Sequence, residues 1–318
     1  MKTAVVGYGV IGKLHAEILR ERGTLSAICD IDRGVLSGVT DAELYDDYIT
    51  MLDTHRPDAV HICTPHYLHA EMVIEALRRD INVLCEKPLC IRAEDIPRIL
   101  EAEKSSEAIL GVCHQNRYNP SNLYIKEYLK DKTLKGGIGS VCWIRDAEYY
   151  ASGAWRGKWD TEGGGVLINQ ALHTLDLMQW FCGMPEKLAA SVSNLTLKEH
   201  IEVEDTAAIS ARGVCDFNFY ATNGGVGGLP VEITLRTDKE VIKVMPRYTV
   251  IGNEFKEFPK EKRTGAKVCY GSGHELLIDD FYSCIKAGIH FPIDGEEGSK
   301  VIRLILAAYK SGGEWINL

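Results

Sequence analysis

The run Ala4-Val5-Val6-Gly7-Tyr8-Gly9-Val10-Ile11-Gly12 constrains this chain more than any other stretch. An apolar, strand-like segment leads straight into glycines at positions 7, 9 and 12, and an amphipathic helical pattern follows. In such a turn the first glycine permits the tight bend and the second lets backbone approach a pyrophosphate. The third brings helix and strand close together. The helix N-terminus then offers free N–H groups and a favourable dipole to negative charge. Strand, glycine spacing and helix in this order predict a dinucleotide site at Gly7, Tyr8, Gly9, Val10, Ile11 and Gly12.

Asp30 ends the next apolar run, about 20 residues on, where a carboxylate hydrogen-bonds the adenosine ribose hydroxyls. It also repels a 2′-phosphate, which favours NAD. Arg33 follows three residues later, and an arginine near this point can accommodate that phosphate. The expected cofactor is NAD, with NADP left open.

The chain has 318 residues, enough for two domains. Short apolar runs at Thr3-Val6, Leu25-Cys29, Ala59-Cys63, Asn82-Cys85 and Ile109-Cys113 alternate with helical periodicity. Strands without alternation are covered on both faces, as in a parallel sheet with crossover helices. From Val141 onward longer alternating runs appear: Val141-Tyr149, Leu188-Leu195, Thr206-Ala211, Val214-Ala221, Val231-Arg236 and Glu240-Val244. Helices are expected near Gly164 to Phe181, His274 to Ala287 and Gly295 to Lys310. The fold class is therefore α/β: a doubly wound Rossmann domain over 1–118, then an α/β domain over 119–318 with a large, mostly antiparallel open sheet.

The formal charge of −9 comes with no basic block, which argues against nucleic acid or an anionic membrane as partner. No run approaches the ~20 apolar residues of a membrane-spanning helix. The N-terminal apolar run breaks at Gly7 and does not read as a signal peptide. Ten cysteines are scattered, several within apolar strands, and no Cys/His cluster has zinc spacing. A cytoplasmic, metal-free protein is the expectation.

Two further motifs carry chemistry. Glu86-Lys87-Pro88 follows an apolar strand, and ligands of open α/β sheets bind beyond the carboxyl ends of the strands. Lys87 is thus placed to act at the nicotinamide end. Downstream, Gly163-Gly164-Gly165 opens a helix on which Asn169 and His173 are four apart, hence on one face, with Asp176 three further on. The glycines allow close backbone approach to a ligand.

The ordered set Gly7–Gly12, Thr64-Pro65 with His69, Glu86-Lys87-Pro88, His114-Gln115-Asn116-Arg117, Trp155-Arg156, Gly163–Asp176 and Pro292–Gly298 resembles the glucose–fructose oxidoreductase/inositol dehydrogenase (Gfo/Idh/MocA) family. The resemblance spans essentially the whole chain. It implies that Thr64, Pro65, His69, Glu86, Lys87 and Asn116 line the cofactor pocket, with Trp155 and Arg156 reaching it from the second domain. It also implies oligomers, a homo-dimer or homo-tetramer, through the C-terminal sheet. Two departures stand out: Asn169 where many members have Asp, and Ala171 where they have Gly. Asn169 can orient substrate but cannot act as a base. Branches that act on nucleotide sugars carry a similar Asn-Gln pair.

The expected activity is hydride transfer between NAD(P) and a secondary hydroxyl or ketone of a sugar, cyclitol or sugar derivative, in a cleft between the domains. His173 takes the hydroxyl proton as general base, and Lys87 stabilises alkoxide character on the same oxygen. Asn169 holds a neighbouring hydroxyl. Two rivals fit the same motifs: an NAD-dependent glycosidase with transient oxidation, and a non-catalytic dinucleotide-sensing regulator.

Overall fold

Apolar strands of the first part pair in parallel, and the alternating ones of the second part pair mostly antiparallel. The computed structural model describes residues 1–225, 229–259 and 273–318. It resolves into two compact units, Met1–Cys113 with Leu277–Ser299, and His114–Leu276 with Lys300–Leu318.

The first unit runs β1 (Thr3–Val6), α1 (Val10–Glu21), β2 (Leu25–Cys29), β3 (Glu43–Tyr45), α2 (Tyr48–Thr54), β4 (Ala59–Ile62), α3 (His69–Leu77), β5 (Asn82–Glu86), α4 (Asp95–Lys104) and β6 (Leu110–Cys113). Strand order is β3-β2-β1-β4-β5-β6, all parallel. The order reverses beside β1, the switch point at which such sheets bind nucleotides. Residues of β1, β4 and β6 are buried throughout, as strands covered on both faces must be. The unit ends at Cys113 and takes back Leu277–Ser299 for a packing reason. Phe281 and Phe291 from that segment stack edge-on at 5.5 Å, and a Cβ at Gly111 of β6 would come within 2.9 Å of the Phe281 ring.

The second unit carries α5 (Pro120–Tyr128), β7 (Leu134–Cys142), α6 (Ala147–Ala151), α7 (Leu172–Cys182), β8 (Lys187–Ser193), β9 (Thr206–Arg212), β10 (Phe217–Thr222), β11 (Glu232–Thr237), β12 (Val241–Val244), β13 (Tyr248–Ile251) and β14 (Glu254–Glu257). Helix α8 (Gly273–Ala287) and helix α9 (Gly295–Ser311) each begin in one unit and end in the other, and β15 (Ile316–Asn317) closes the chain. Nine strands form one sheet in the order β14-β13-β12-β11-β7-β10-β9-β8-β15, antiparallel except where β10 lies parallel to β7.

The strand expected over Val141–Tyr149 is displaced. The strand is β7, Leu134–Cys142, and Ala147–Ala151 is helical, with the Asp146 side chain capping it by accepting the Tyr149 N–H. Glycines at 137 and 139 are what let β7 lie under α7. A Cβ at Gly137 or Gly139 would sit 2.9 to 3.0 Å from the Met178 side chain.

Candidate active site

Gly7 adopts φ +84°, and a Cβ there would press to 2.6 Å from the Cys63 carbonyl oxygen. At Gly12 a Cβ would collide with the Gly7 carbonyl. At Gly9 it would meet, among the described residues other than its chain neighbours, no atom within 4 Å. Gly7 and Gly12 therefore serve the fold, whereas Gly9 leaves space open. Gly9 is also the N-cap of α1, whose first turn has no capping side chain and no acidic residue. These uncapped N–H groups fit a dinucleotide pyrophosphate.

Asp30 ends β2 with Oδ2 accepting the Tyr8 N–H at 2.7 Å and Oδ1 accepting the Asp32 N–H at 2.9 Å. The carboxylate thus braces the glycine turn. Arg33 is ion-paired with Asp46, Nε to Oδ2 at 2.6 Å.

At the carboxyl ends of β4 and β5, Thr64, Pro65 and Lys87 are half-buried, whereas His69 and Glu86 are buried. His69 spans two loops, its Nδ1 2.7 Å from the Pro88 carbonyl oxygen and its Nε2 2.8 Å from that of Thr64. Burial outweighs these contacts and lowers its pKa, so the neutral ring donates to one of the two carbonyls at a time. His69 thus acts as a strut between the Thr64-Pro65 and Lys87-Pro88 loops. The Lys87–Pro88 peptide is cis.

Beneath Lys87 lies a polar chain that the sequence did not disclose. Glu86 Oε1 is 3.0 Å from His15 Nε2, His15 Nδ1 is 2.9 Å from His61 Nδ1, and His61 Nε2 is 2.8 Å from the Tyr282 hydroxyl. The Tyr282 hydroxyl donates to Thr3 Oγ1 at 3.1 Å. Burial, with the neighbouring His15, drives His61 well below the usual imidazole range. The signal for this chain is a pair of histidines on β4 and α1 that fall on core positions of their elements.

In the second unit the expected helix begins as a π turn, Leu167–Ala171, and continues as α7. Glu204 anchors its start: its carboxylate accepts the N–H groups of Gly165 at 2.8 Å and Leu167 at 2.9 Å, and the Tyr309 hydroxyl at 3.0 Å. Burial pushes the Glu204 carboxyl up to about 7. Gly165 is packed so closely against Glu204 that no side chain fits there. π turns inside helices recur at functional sites. Each residue of the wider turn rotates less, so the α-helical rule that set Asn169 and His173 on one face does not apply unmodified. Exposure decides instead. From Glu162 through Gln179 every residue is buried except Asn169 and His173.

Asn169 is held by its amide. Its Nδ2 donates to Glu162 Oε1 and, at 3.3 Å, to the Tyr149 hydroxyl oxygen. Tyr149 also receives Arg156 Nη1 at 2.8 Å and Gln170 Nε2 at 3.0 Å, while Gln170 Oε1 accepts from Asn223 Nδ2 at 2.9 Å. The Arg156 guanidinium lies over both the Tyr149 and Trp155 rings, 4.6 and 4.5 Å from their centroids. Trp155 and Arg156 therefore stand beside the Asn169 cluster in this unit. Asn116 lies in the short 3₁₀ turn Gln115–Tyr118, also in this unit, with Oδ1 accepting from Asn119 at 3.4 Å. Asp176 turns inward to a buried ion pair with Arg117. Sequence reading noted Gln170 only as part of the Asn-Gln pair and did not find Glu162, Tyr149 or Asn223; the local hint for Glu162 was an acidic residue just ahead of the glycine run.

A parallel sheet of this order, with an uncapped helix after a glycine turn and a carboxylate closing β2, defines a dinucleotide-binding domain of the Rossmann class. The family model described as the Gfo/Idh/MocA oxidoreductase family, NAD-binding Rossmann fold, matches residues 1–114, and that of the Gfo/Idh/MocA C-terminal domain matches 127–218. The chain belongs to the Gfo/Idh/MocA family. It is 32% identical over 188 residues to an inositol 2-dehydrogenase of Rubrobacter xylanophilus, an alignment covering 56% of this chain and 51% of that relative. The chain thus spans about half the length of that relative. With a D-glucoside 3-dehydrogenase of Escherichia coli it shares 25% identity over 98% of this chain and 95% of the other. The WlbA dehydrogenase of Bordetella pertussis, solved in complex with NADH and UDP-GlcNAcA, superposes with a TM-score of 0.86 at 28% identity, covering 100% of this chain and 98% of that one. No helix among the described residues is long and apolar enough to cross a membrane.

Proposed function

We propose that this chain is an NAD-dependent oxidoreductase that moves a hydride between nicotinamide and a secondary hydroxyl or ketone of a sugar, cyclitol or sugar derivative. The observation that carries the reading is the exposure pattern of residues 162–179, which offers solvent only Asn169 and His173 from a buried, braced segment. An imidazole and an amide held there suit a hydroxylated substrate.

Bound nicotinamide supplies the hydride chemistry. The chain's own residues manage the rest. His173 Nε2 or Nδ1 takes the hydroxyl proton during oxidation and returns it during reduction. Lys87 Nζ hydrogen-bonds the same oxygen and stabilises its developing negative charge. Asn169 holds a neighbouring group of the sugar, and Thr64 and Pro65 flank the cofactor at the strand ends. The uncapped first turn of α1 holds the pyrophosphate, and Asp30 faces the adenosine ribose. Asp30, together with the commitment of Arg33 to Asp46, supports NAD over NADP.

The similarity to inositol, glucoside and nucleotide-sugar dehydrogenases sets the substrate panel. Inositols, aldoses, glucosides and UDP-linked acetamido sugars, each offered with NAD and with NADP and followed at the reduced-nicotinamide absorbance, test the reading. Turnover of one class with NAD is expected. Tight NAD binding with no turnover anywhere would favour a sensor instead.

Two coarser features complete the reading. The sheet of the second unit exposes Ile138 and Tyr220 on neighbouring strands, which supports a homo-oligomer formed through that face. Ile138→Asp should then lower the mass seen by light scattering. Buried thiols at every described cysteine suit a reducing compartment such as the cytoplasm.

A further inference from the structure

We propose that Arg145 and Arg156, two guanidiniums laid over the one Tyr149 ring, form an oxyanion subsite beside Asn169, so that the sugar handled here carries a phosphate or a carboxylate. The inference rests on the oxidoreductase reading and deepens it by naming the charge class of the substrate.

Tyr149 is the centre of the arrangement. The Arg145 guanidinium lies 4.7 Å from its ring centroid and that of Arg156 4.6 Å. Each also covers a tryptophan, Arg145 that of Trp143 at 5.0 Å and Arg156 that of Trp155 at 4.5 Å. Guanidiniums held over aromatic faces keep their N–H forks for planar recognition of oxyanions. These forks are largely unspent. Among the described residues the Arg145 side chain donates only from Nη1, to the Ile144 carbonyl at 3.0 Å. That of Arg156 donates only from Nη1, to the Tyr149 hydroxyl at 2.8 Å. Arg145 Nε is enclosed and meets no acceptor. A buried N–H left without an acceptor is costly, and a bound oxyanion beside the fork offsets that cost.

Charge balance points the same way. Among the described residues no carboxylate pairs with either guanidinium. Asp146, next after Arg145, accepts the Tyr149 N–H as the cap of α6. Two half-buried positive charges drawn to one ring repel each other, and an anion beside them relieves the repulsion. Their placement is fixed in advance. Backbone bonds from Trp143 to Thr222 and from Arg145 to Asn223 continue the β7–β10 ladder up to the subsite. Tyr149 then ties it to the sugar site, because its hydroxyl oxygen takes Asn169 Nδ2 at 3.3 Å as well as Arg156 Nη1. Arg156 and Asn169 thus meet at a single oxygen. A sugar whose hydroxyl reaches Asn169 brings a charged substituent against the guanidiniums. The resemblance noted in the sequence sends Arg156 to the cofactor, so the two destinations must be told apart by experiment.

Matched pairs offered with saturating NAD make the test: glucose against glucose 6-phosphate, glucose against glucuronate, and N-acetylglucosamine against UDP-N-acetylglucosamine. In wild type at least one anionic member should exceed its neutral counterpart about tenfold or more in kcat/KM, the worth of one charge-assisted hydrogen bond. The pair that shows the advantage separates phosphate from carboxylate. The advantage should shrink as ionic strength rises and should collapse in Arg145→Gln. Neutral sugars turned over as well as anionic ones, or an advantage that survives in Arg145→Gln, overturn the proposal. So does a loss in Arg145→Gln confined to the KM for NAD, which would give the guanidiniums to the cofactor.

A second readout needs no turnover. Calorimetric titration of NAD-saturated wild type with inorganic pyrophosphate, and separately with glucuronate, should show one of the two binding, with affinity falling as salt is added. Binding of neither overturns the subsite even if Arg145→Gln does not fold. Binding that Arg145→Gln removes, in a protein that oxidises no sugar or cyclitol, would uphold the subsite and sink the oxidoreductase reading.

Discussion

Arg117 grips Asp176 through two parallel hydrogen bonds, Nε to Oδ2 at 2.8 Å and Nη2 to Oδ1 at 2.6 Å, with both side chains buried. Trp180 packs against the guanidinium, 5.4 Å away. Burial alone would raise the Asp176 carboxyl, but the charges of Arg117 and His114, with hydrogen bonds from Arg117 and Gln179, hold it down at about 2. Its folded value lies below its unfolded one, so its stabilising contribution is complete above about pH 4 and is lost as pH falls toward 2. Arg117→Ala strands a buried carboxylate and should cost about 3–5 kcal/mol in urea denaturation. Asp176 therefore serves the framework under His173, and a melting temperature of Arg117→Ala equal to wild type would contradict that role.

Glu204 works with the opposite sign. Burial raises its carboxyl to about 7 despite the N–H groups of Leu167 and Gly165. A carboxyl raised on folding stabilises fully below its unfolded value and loses that contribution as pH climbs through its folded one. The melting temperature should decline between about pH 5 and pH 8. Glu103, raised by burial to about 7 in the first unit, contributes in the same direction. Only the part of the slope that disappears in Glu204→Gln belongs to Glu204, and an unchanged slope there would remove it as the cause.

The three glycines of the cofactor turn should separate by phenotype. Gly12→Ala puts a Cβ into the Gly7 carbonyl and should unfold the first unit or lower its melting temperature sharply. Gly9→Val meets, among the described residues other than its chain neighbours, no atom near its Cβ and should melt like wild type, yet lose most NAD affinity by calorimetry. Undiminished NAD binding in folded Gly9→Val would place the pyrophosphate elsewhere.

Cofactor choice should respond to a residue that need not touch the cofactor. Asp46→Ala releases Arg33 from its ion pair and should raise the NADP-to-NAD ratio of kcat/KM. The pair is solvent-exposed, so the change should be a few-fold, in line with the ~1 kcal/mol ceiling of such pairs. A ratio that stays fixed means Arg33 does not reach the adenosine ribose.

Proton handling is tested at His173 and Lys87. His173→Asn and Lys87→Ala should each lower kcat by about 10²-fold or more, the lower end of what acid–base catalysis contributes. NAD affinity should hardly change in the His173 variant. Oxidation by wild type should slow at low pH as the imidazole protonates and ceases to accept. Near-native turnover of His173→Asn on the true substrate would send the search for the base elsewhere.

Local patterns made the first unit easy to read. Unbroken apolar runs gave β1 and β2 to the residue, because a strand covered on both faces needs no partner to declare itself. β3 went unseen: its three residues are exposed or half-exposed, and only pairing with β2 makes them a strand. β7 was misplaced because glycines that signal turns locally are required there by Met178, some forty residues later in the chain. The same division holds for the site. The glycine turn and the motifs that make Lys87 and His173 candidates lie in adjacent residues. Glu162, Tyr149 and Asn223 acquire theirs from amides brought to them by folding, and a π turn leaves no trace in a 3.6-residue pattern.

The scarcity of accessible positions between Glu162 and Gln179 also bears on how substrate range can change. A library randomised along this segment would place nearly all its changes on core residues and recover mostly unfolded protein. Useful diversity is confined to Asn169 and His173, of which the second is the base we propose. Altered selectivity should therefore be sought by varying residue 169 jointly with 149, 156 and 162, so that each new side chain arrives with partners able to orient it.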